Sequence, residues 1–479
     1  MTMRKQILSG IKWGAAAKFG GQVITWGITL VVIRLLSPED YGLLAMATIF
    51  VAFMLMVSEA GLTSALIQKQ DIDEASLRQA FGIIIFINLI LFVTLNLFAP
   101  IIAVFFSEER LTLILHVLSL QFIFVSITAI PEVLLYRKLK FKSLALIQLV
   151  ITIISSVFTL MLAFAHYGVW ALIFGTLSSI VLRAIAINVI APFRQLPNFS
   201  LQGMRTLLIF GGNIALSRFL WFFYTQIDVI IVGKLLGKES LGFYSVAMQL
   251  SSLPVQRVSA IVSQVAFPIF SRFQHDREQL GSVAIKALRI LSFIAFPVLW
   301  GISCVANEIV LLFLGYKWQS AILPLQLLSL MMPFRMLGNF LPSFTDAMGR
   351  PDVTMKNILL SSFVIPIALL VGAIEGGLSG VAIAWVIVSP VLIINNVRLS
   401  LRVVELQLRD FFRAIVPVVI SAAGMYLMVW MIGSQLGDNI DHLTKLLIMI
   451  ATGVSVYGGL TLFFNKQGYQ EVINLVRQR

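Results

Sequence analysis

Charge is scarce in this 479-residue chain: only 12% of its residues are Asp, Glu, Lys or Arg. A soluble globular domain carries about 25%, so that class is excluded. Cysteine is scarcer still, with one copy, Cys304. A single thiol closes no intramolecular bridge, which removes a disulfide-stapled secreted scaffold. The apolar content excludes disorder, and no Gly-X-Y period points to a collagen-like chain. No signal-peptide cleavage site follows the basic N-terminus MTMRKQILSGIKWG, so the first apolar stretch is read as a retained helix.

What fills the chain is hydrocarbon. Hydrophobic residues make up 59% and the mean hydropathy is +0.96. A bilayer is crossed by about 20 apolar residues, and fourteen spans of about 23 residues would occupy roughly 320 positions. No room remains for a large soluble domain. The expected fold is therefore an all-α polytopic membrane protein of about 14 transmembrane helices. The net charge of +13 could suggest nucleic acid, but its placement says otherwise. With both termini in the cytoplasm, 22 basic residues fall in cytoplasmic segments and five, Arg110, Lys234, Lys238, Lys317 and Lys445, on the other side. That is the positive-inside pattern, and it places both ends in the cytoplasm with no nucleic acid required.

The sequence repeats itself once. LLSPEDYG at 35–42 returns as LLGKESLG at 235–242, and each copy follows a span that opens with FGG, at 19–21 and 210–212. A repeat of six spans keeps its orientation, which predicts two six-helix lobes related by an axis along the membrane normal. The expected divisions are 1–200 for spans 1–6, 201–403 for spans 7–12, and 404–479 for two extra C-terminal spans and a tail.

Helical spacing then picks out polar faces. Span 8 carries Ser245, Gln249, Ser252, Gln256, Ser259 and Ser263 in one stripe with Arg257 beside it. Span 7 carries Arg218, Trp221, Thr225 and Asp228, with Tyr224 alongside, and span 1 carries Lys18, Gln22, Thr25 and Thr29. A weaker stripe in span 5, Gln148, Thr152, Ser155 and Thr159, reads as hydroxyl packing between helices. Eight basic residues lie within or beside the spans. Of these, Arg218, Arg257 and Arg335 fall near mid-helix, where each costs about 2.5–3.5 kcal/mol even on the lenient insertion scale. They must face water, a partner or an anion. Four acids share the zone: Glu59, Glu132, Asp228 and Asp346. Pro254, Pro297, Pro333 and Pro366 fall inside spans and permit bends.

Several strings together resemble a known family. They are RLLSPEDYGLLAMA at 34–47, SEAGLTSALIQK at 58–69, YRKLKF at 136–141, QIDVIIVGKLLGKESLGFYSVA at 226–247, AFPIFSRFQHD at 266–276, GYKWQSAILPLQLLSL at 315–330 and DAMGRPDVTMKN at 346–357. They look like the Wzx-type polysaccharide transporters, in the superfamily that also holds multidrug extruders and murein-precursor flippases. The resemblance implies two lobes around a central cavity lined by spans 1, 2, 7 and 8. It also implies transfer of undecaprenyl-diphosphate-linked oligosaccharide units from the cytoplasmic to the periplasmic leaflet of a bacterial inner membrane, by alternating access. The candidate substrate residues are Lys18, Arg218, Arg257, Arg335, Gln249, Gln256, Trp221 and Tyr224. Asp228 and Glu59 are the candidate carriers of a coupling H+ or Na+; no cofactor or metal is expected. Span 2 offers Glu59 where murein-precursor flippases place a cation. The expected partners are the lipid-linked oligosaccharide, membrane lipids, and the polymerase and chain-length regulator of the same pathway. A multidrug extruder of the same fold is the rival reading. A polysaccharide polymerase would need a larger outer loop, and a structural scaffold would need no charged stripes.

Overall fold

The structure, a computed structural model, describes residues 21, 25–58, 63, 66–67, 72–200, 205–272, 276–404, 406–437, 440–466 and 468–471; at 205–221, 223–224, 257, 260–269, 271–272 and 277 it describes the backbone alone. All regular structure among these residues is helical. Fourteen helical arms follow in chain order. In the first half they are α1 (Thr25–Leu35), α2 (Pro38–Ser58), α3 (Glu74–Phe106), α4 (Arg110–Arg137), α5 (Phe141–Phe164), α6 (Val169–Ile190) and α7 (205–236). The second half holds α8 (238–272), α9 (Arg277–Cys304), α10 (Ile322–Ala347), α11 (351–376), α12 (378–401), α13 (Leu408–Gln435) and α14 (His442–Phe464). Gly237 (φ 79°) separates α7 from α8, and Gly377 (φ 55°) separates α11 from α12. Both positive φ values suit a residue without Cβ.

Ten helices among the described residues are long and apolar enough to cross a membrane, one of them the kinked pair α11–α12. Their outward surfaces are hydrocarbon: Val104 is 78% exposed and Phe463 81%. Such surfaces are stable in lipid, not in water. The protein is a multi-pass membrane protein.

Packing groups the chain into two compact units, residues 1–242 and 243–479. In the first, Ile83 and Ile84 of α3 pack with Ile130 and Val133 of α4, while Leu135, Ile147, Ile151 and Ile187 join α4, α5 and α6. The segment after α6 turns back to α3, where Arg78 donates to the carbonyl of Leu196 (3.0 Å) and Asn198 N–H to that of Arg78 (2.9 Å). The α5 stripe is packing, as its composition suggests: Ser155 and Thr159 donate to the carbonyls of Ile151 and Ser155. Thr159 also fills the space where a Cβ on Gly175 of α6 would stand.

The repeated turns meet inside this first unit. Ser37 and Asp40 cap the start of α2 through Ser37 N–H to Asp40 Oδ2 (3.0 Å) and Asp40 N–H to Ser37 Oγ (3.3 Å), the capping-box arrangement. A Cβ on Gly42 would sit 1.8 Å from the Lys238 carbonyl oxygen, and a Cβ on Gly242 would sit 1.8 Å from that of Pro38. Residue 42 faces 238 while 242 faces 38, so the contact is reciprocal under a shift of 200 positions. This is local two-fold symmetry. Lysines secure the junction. Lys238 Nζ lies 3.4 Å from Glu39 and 3.2 Å from Glu108, and Lys234 donates to the Phe105 carbonyl at the end of α3.

In the second unit, α9 packs against α10, α13 and α14. Two ion pairs tie α14 and the segment after it to α9 and the segment after that: Lys445–Glu308 (3.6 Å) and Arg289–Glu471 (2.7 Å). Between them, the Tyr457 hydroxyl donates to the Phe293 carbonyl (2.9 Å). Asp441 caps α14 by accepting from Thr444 N–H (3.2 Å). Hydrogen bonding by Thr444, first from its hydroxyl and then from this backbone N–H, holds that carboxyl below the usual carboxylate range.

Candidate functional site

The polar stripe of α8 is exposed in its middle. Gln249 and Gln256 are exposed, Ser252 is half-buried, and Gln256 Nε2 donates to Ser252 Oγ (3.1 Å). At 1.5 Å per residue, Gln249 lies roughly 17 Å along α8, well inside a hydrocarbon core of about 30 Å. Amides exposed at that depth cannot face lipid without losing hydrogen bonds worth several kcal/mol. They face water. Also on the stripe, Ser245 and Ser259 bury hydroxyls that have no partner among the described residues.

Beside this stripe stands Arg335, roughly 20 Å along α10. It is half-buried, and Asn339, one turn further on the same side, is exposed. Its guanidinium carbon lies 5.5 Å from the ring centroid of Trp385 on α12, and Nη1 points to Met248 Sδ on α8 at 3.8 Å. Trp385 is 5% exposed, and its indole N–H donates to the hydroxyl of fully buried Tyr244 (2.9 Å). Among the described residues no carboxylate reaches Arg335. The ring face returns about 0.5–2 kcal/mol against the roughly 2.5–3.5 kcal/mol that a mid-depth cation costs. The shortfall marks a cation that retains demand for an anion or water.

Three other membrane charges among the described residues have hydrogen-bond partners. Arg183 on α6 pairs with Glu132 on α4 (2.6 Å) and also donates to Gln148 on α5. Asp346, at the end of α10, accepts from Thr354 (3.0 Å). Asp228 is buried, and its Oδ1 accepts from Val229 N–H (2.9 Å).

Of the residues singled out from sequence, the structure brings Arg335 into the second unit beside the exposed Gln249 stripe. Gln256 continues that stripe, and Asp228 is placed in the first unit. Lys18 and Glu59 lie outside the described residues, and Arg218, Trp221, Tyr224 and Arg257 are described by backbone alone, on α7 and α8. Sequence reasoning missed Trp385, Tyr244 and Met248. A Trp, a Tyr and a Met in apolar runs look like any packing residue; only the fold places them against a guanidinium. No group of His, Cys, Asp or Glu able to hold a metal occurs among the described residues.

The family model described as "Polysaccharide biosynthesis protein" matches residues 31–323. Teichuronic acid biosynthesis protein TuaB of Bacillus subtilis is 27% identical over 88% of this chain and 88% of its own. Lipopolysaccharide biosynthesis protein WzxC of Escherichia coli is 26% identical over 83% and 80%, and succinoglycan biosynthesis transport protein ExoT of Rhizobium meliloti 25% over 99% and 96%. Among solved structures, the lipid II flippase MurJ in an inward closed conformation superposes with a TM-score of 0.74 at 18% identity, covering 95% of this chain and 99% of that one. A multidrug resistance MATE family transporter in an inward-facing conformation gives 0.62 at 16% identity, covering 83% and 95%. Both show the fold.

Proposed function

The chain belongs to the polysaccharide biosynthesis protein family, and from that premise we propose that it flips an undecaprenyl-diphosphate-linked oligosaccharide repeat unit from the cytoplasmic to the periplasmic leaflet, by alternating access. The observation that carries this reading is Arg335: a guanidinium at mid-depth, unneutralised by any described carboxylate, beside exposed amides. A diphosphate offers what such a group lacks, since guanidinium binds phosphate oxygens in bidentate fashion and stays charged. Gln249 and Gln256 suit sugar hydroxyls, and the polyprenyl tail has the apolar outer surface to lie against. The relatives named for teichuronic acid, lipopolysaccharide and succinoglycan biosynthesis support a surface glycan as the cargo class.

Outward release then requires the reciprocal Gly42–Gly242 junction to part and the Lys238 ion pairs to break. With the cell interior negative, moving two negative charges outward is favoured by roughly 4–5 kcal/mol per 100 mV. Asp228 and Glu59 are the proposed carriers of any coupling H+ or Na+. The proposed setting is the bacterial inner membrane with both termini cytoplasmic, alongside the polymerase and chain-length regulator of the pathway. A multidrug extruder shares the fold, but a cationic drug gains nothing from an unneutralised arginine.

The test is deletion followed by isolation of the accumulating lipid-linked intermediate, with complementation by wild type and Arg335→Gln. Accumulation of a diphosphate-linked oligosaccharide, relieved by wild type and not by the variant at equal membrane abundance, is expected. Normal surface glycan in the deletion strain overturns the proposal.

A further inference from the structure

Arg335 does not hold its own position. Its guanidinium lies over the indole of Trp385, and that indole is pinned by its N–H to the Tyr244 hydroxyl, both side chains being buried. The arrangement joins three helices: Tyr244 on α8, Arg335 on α10 and Trp385 on α12. A carboxylate at the position of Trp385 would hold the guanidinium more strongly but would also cancel its charge and occupy its donors. An aromatic face attracts the cation through its quadrupole and takes no N–H. Met248 sulfur is likewise a weak acceptor. The surroundings orient the cation and leave its charge and most of its five donors for something else.

We propose that Trp385 and Tyr244 are positioning residues that present Arg335 as an oriented, unneutralised receptor for a diphosphate, and that they set the site's preference for that anion over the neutral parts of the cargo. The inference rests on the transport reading above and deepens it. The indole contributes the face, and Tyr244 fixes the angle of that face by accepting from a buried N–H that would otherwise have no partner. The ring must be aromatic and its tilt must be held. Tyr244→Phe keeps the volume and loses the acceptor, Trp385→Phe keeps a ring face and loses the donor, and Trp385→Leu loses the face.

The experiment uses the full chain purified into nanodiscs, with farnesyl diphosphate, farnesyl monophosphate and farnesol as probes. Binding is followed by tryptophan fluorescence; subtracting the Trp385→Phe signal isolates that indole from the other seven of the chain's eight tryptophans. Wild type is expected to respond to the diphosphate with a signal that Trp385→Phe lacks. Competition against labelled diphosphate should show affinity falling about tenfold or more in Arg335→Gln, about three- to tenfold in Trp385→Leu, and about threefold in Trp385→Phe, which keeps a ring face but loses the bond that holds its tilt. Tyr244→Phe should weaken the diphosphate by about threefold. Farnesol should bind all variants alike. Equal diphosphate affinity in wild type, Trp385→Leu and Tyr244→Phe overturns the inference, as does an equal loss for diphosphate and farnesol, which is the mark of general repacking. Should Trp385→Leu not fold, the Tyr244→Phe comparison decides by itself. Arg335-dependent diphosphate binding in a protein that moves no lipid-linked oligosaccharide in proteoliposomes sinks the transport reading and leaves this one standing; wild-type transport with Arg335-independent binding does the reverse.

Discussion

Arg183 and Arg335 both lie inside apolar helices, and the six-span repeat expected from sequence would match α4 and α6 with α10 and α12. In the first unit, the arginine of α6 reaches back to Glu132 on α4 and to Gln148 on α5. In the second unit, the arginine is on α10 and reaches forward to Trp385 on α12, with a thioether as its other partner among the described residues. The first site closes its charge balance with a carboxylate at 2.6 Å. Among the described residues, the second leaves it open. A paired buried charge is a structural device that is costly to break and contributes little net stability. A charge cushioned on an aromatic ring keeps its capacity for an incoming anion. One helix pair thus carries a joint, and the other carries the receptor we propose.

The strongest way to break this contrast is to give Arg335 a partner like that of Arg183. Trp385→Glu should cut transport by about 100-fold, as severely as loss of the arginine, while the protein still inserts. Transport of lipid-linked oligosaccharide per inserted molecule in proteoliposomes is the measurement, and near-wild-type activity would place the receptor elsewhere. The reverse operation is Glu132→Gln, which strips Arg183 of its carboxylate. Breaking a fully buried pair costs about 3–5 kcal/mol. Here the side chains are 32% and 23% exposed, so about 1–2 kcal/mol is expected after solvent screening. It should appear as a lowered thermal midpoint with transport per inserted molecule nearly unchanged. The double variant Glu132→Gln/Arg183→Gln should recover most of that loss, because it removes both halves of the pair.

Lys238 supplies an intermediate case and the smallest effect. It is paired, with Glu39 and Glu108, but at the junction of the repeated turns, which must open if the cycle is alternating access. Its partners are partly exposed, so Lys238→Gln should change stability by less than about 1 kcal/mol. The change should fall on the balance of conformations: thiol labelling of a cysteine placed on α8 should speed up modestly from the side of these turns. Unchanged labelling would mean that the glycine contact alone keeps the junction shut.

Much of this was legible in one dimension. Long apolar stretches and a shortage of charge required a bundle of membrane helices, and 35–42 against 235–242 announced a duplication. The two repeated turns meet in the structure, because Gly42 and Gly242 each occupy a space that only a residue without Cβ can share with the opposite turn. Arg335 was visible because a central guanidinium is expensive wherever it points. Its neighbours were not, since Tyr244, Trp385 and Met248 are ordinary apolar-run residues until three helices bring them together. The Arg183–Glu132 pair was equally hidden, because helical spacing relates residues along one helix and says nothing of partners 51 positions away on another.

Composition and periodicity determined by themselves that this chain lives in a bilayer and that some polar faces and arginines must escape lipid. Those conclusions follow from transfer free energies, which each residue carries wherever it goes. Which arginine is satisfied and which is left with its charge on offer was decided by tertiary structure alone, because pairing depends on distances between helices that no single helix encodes.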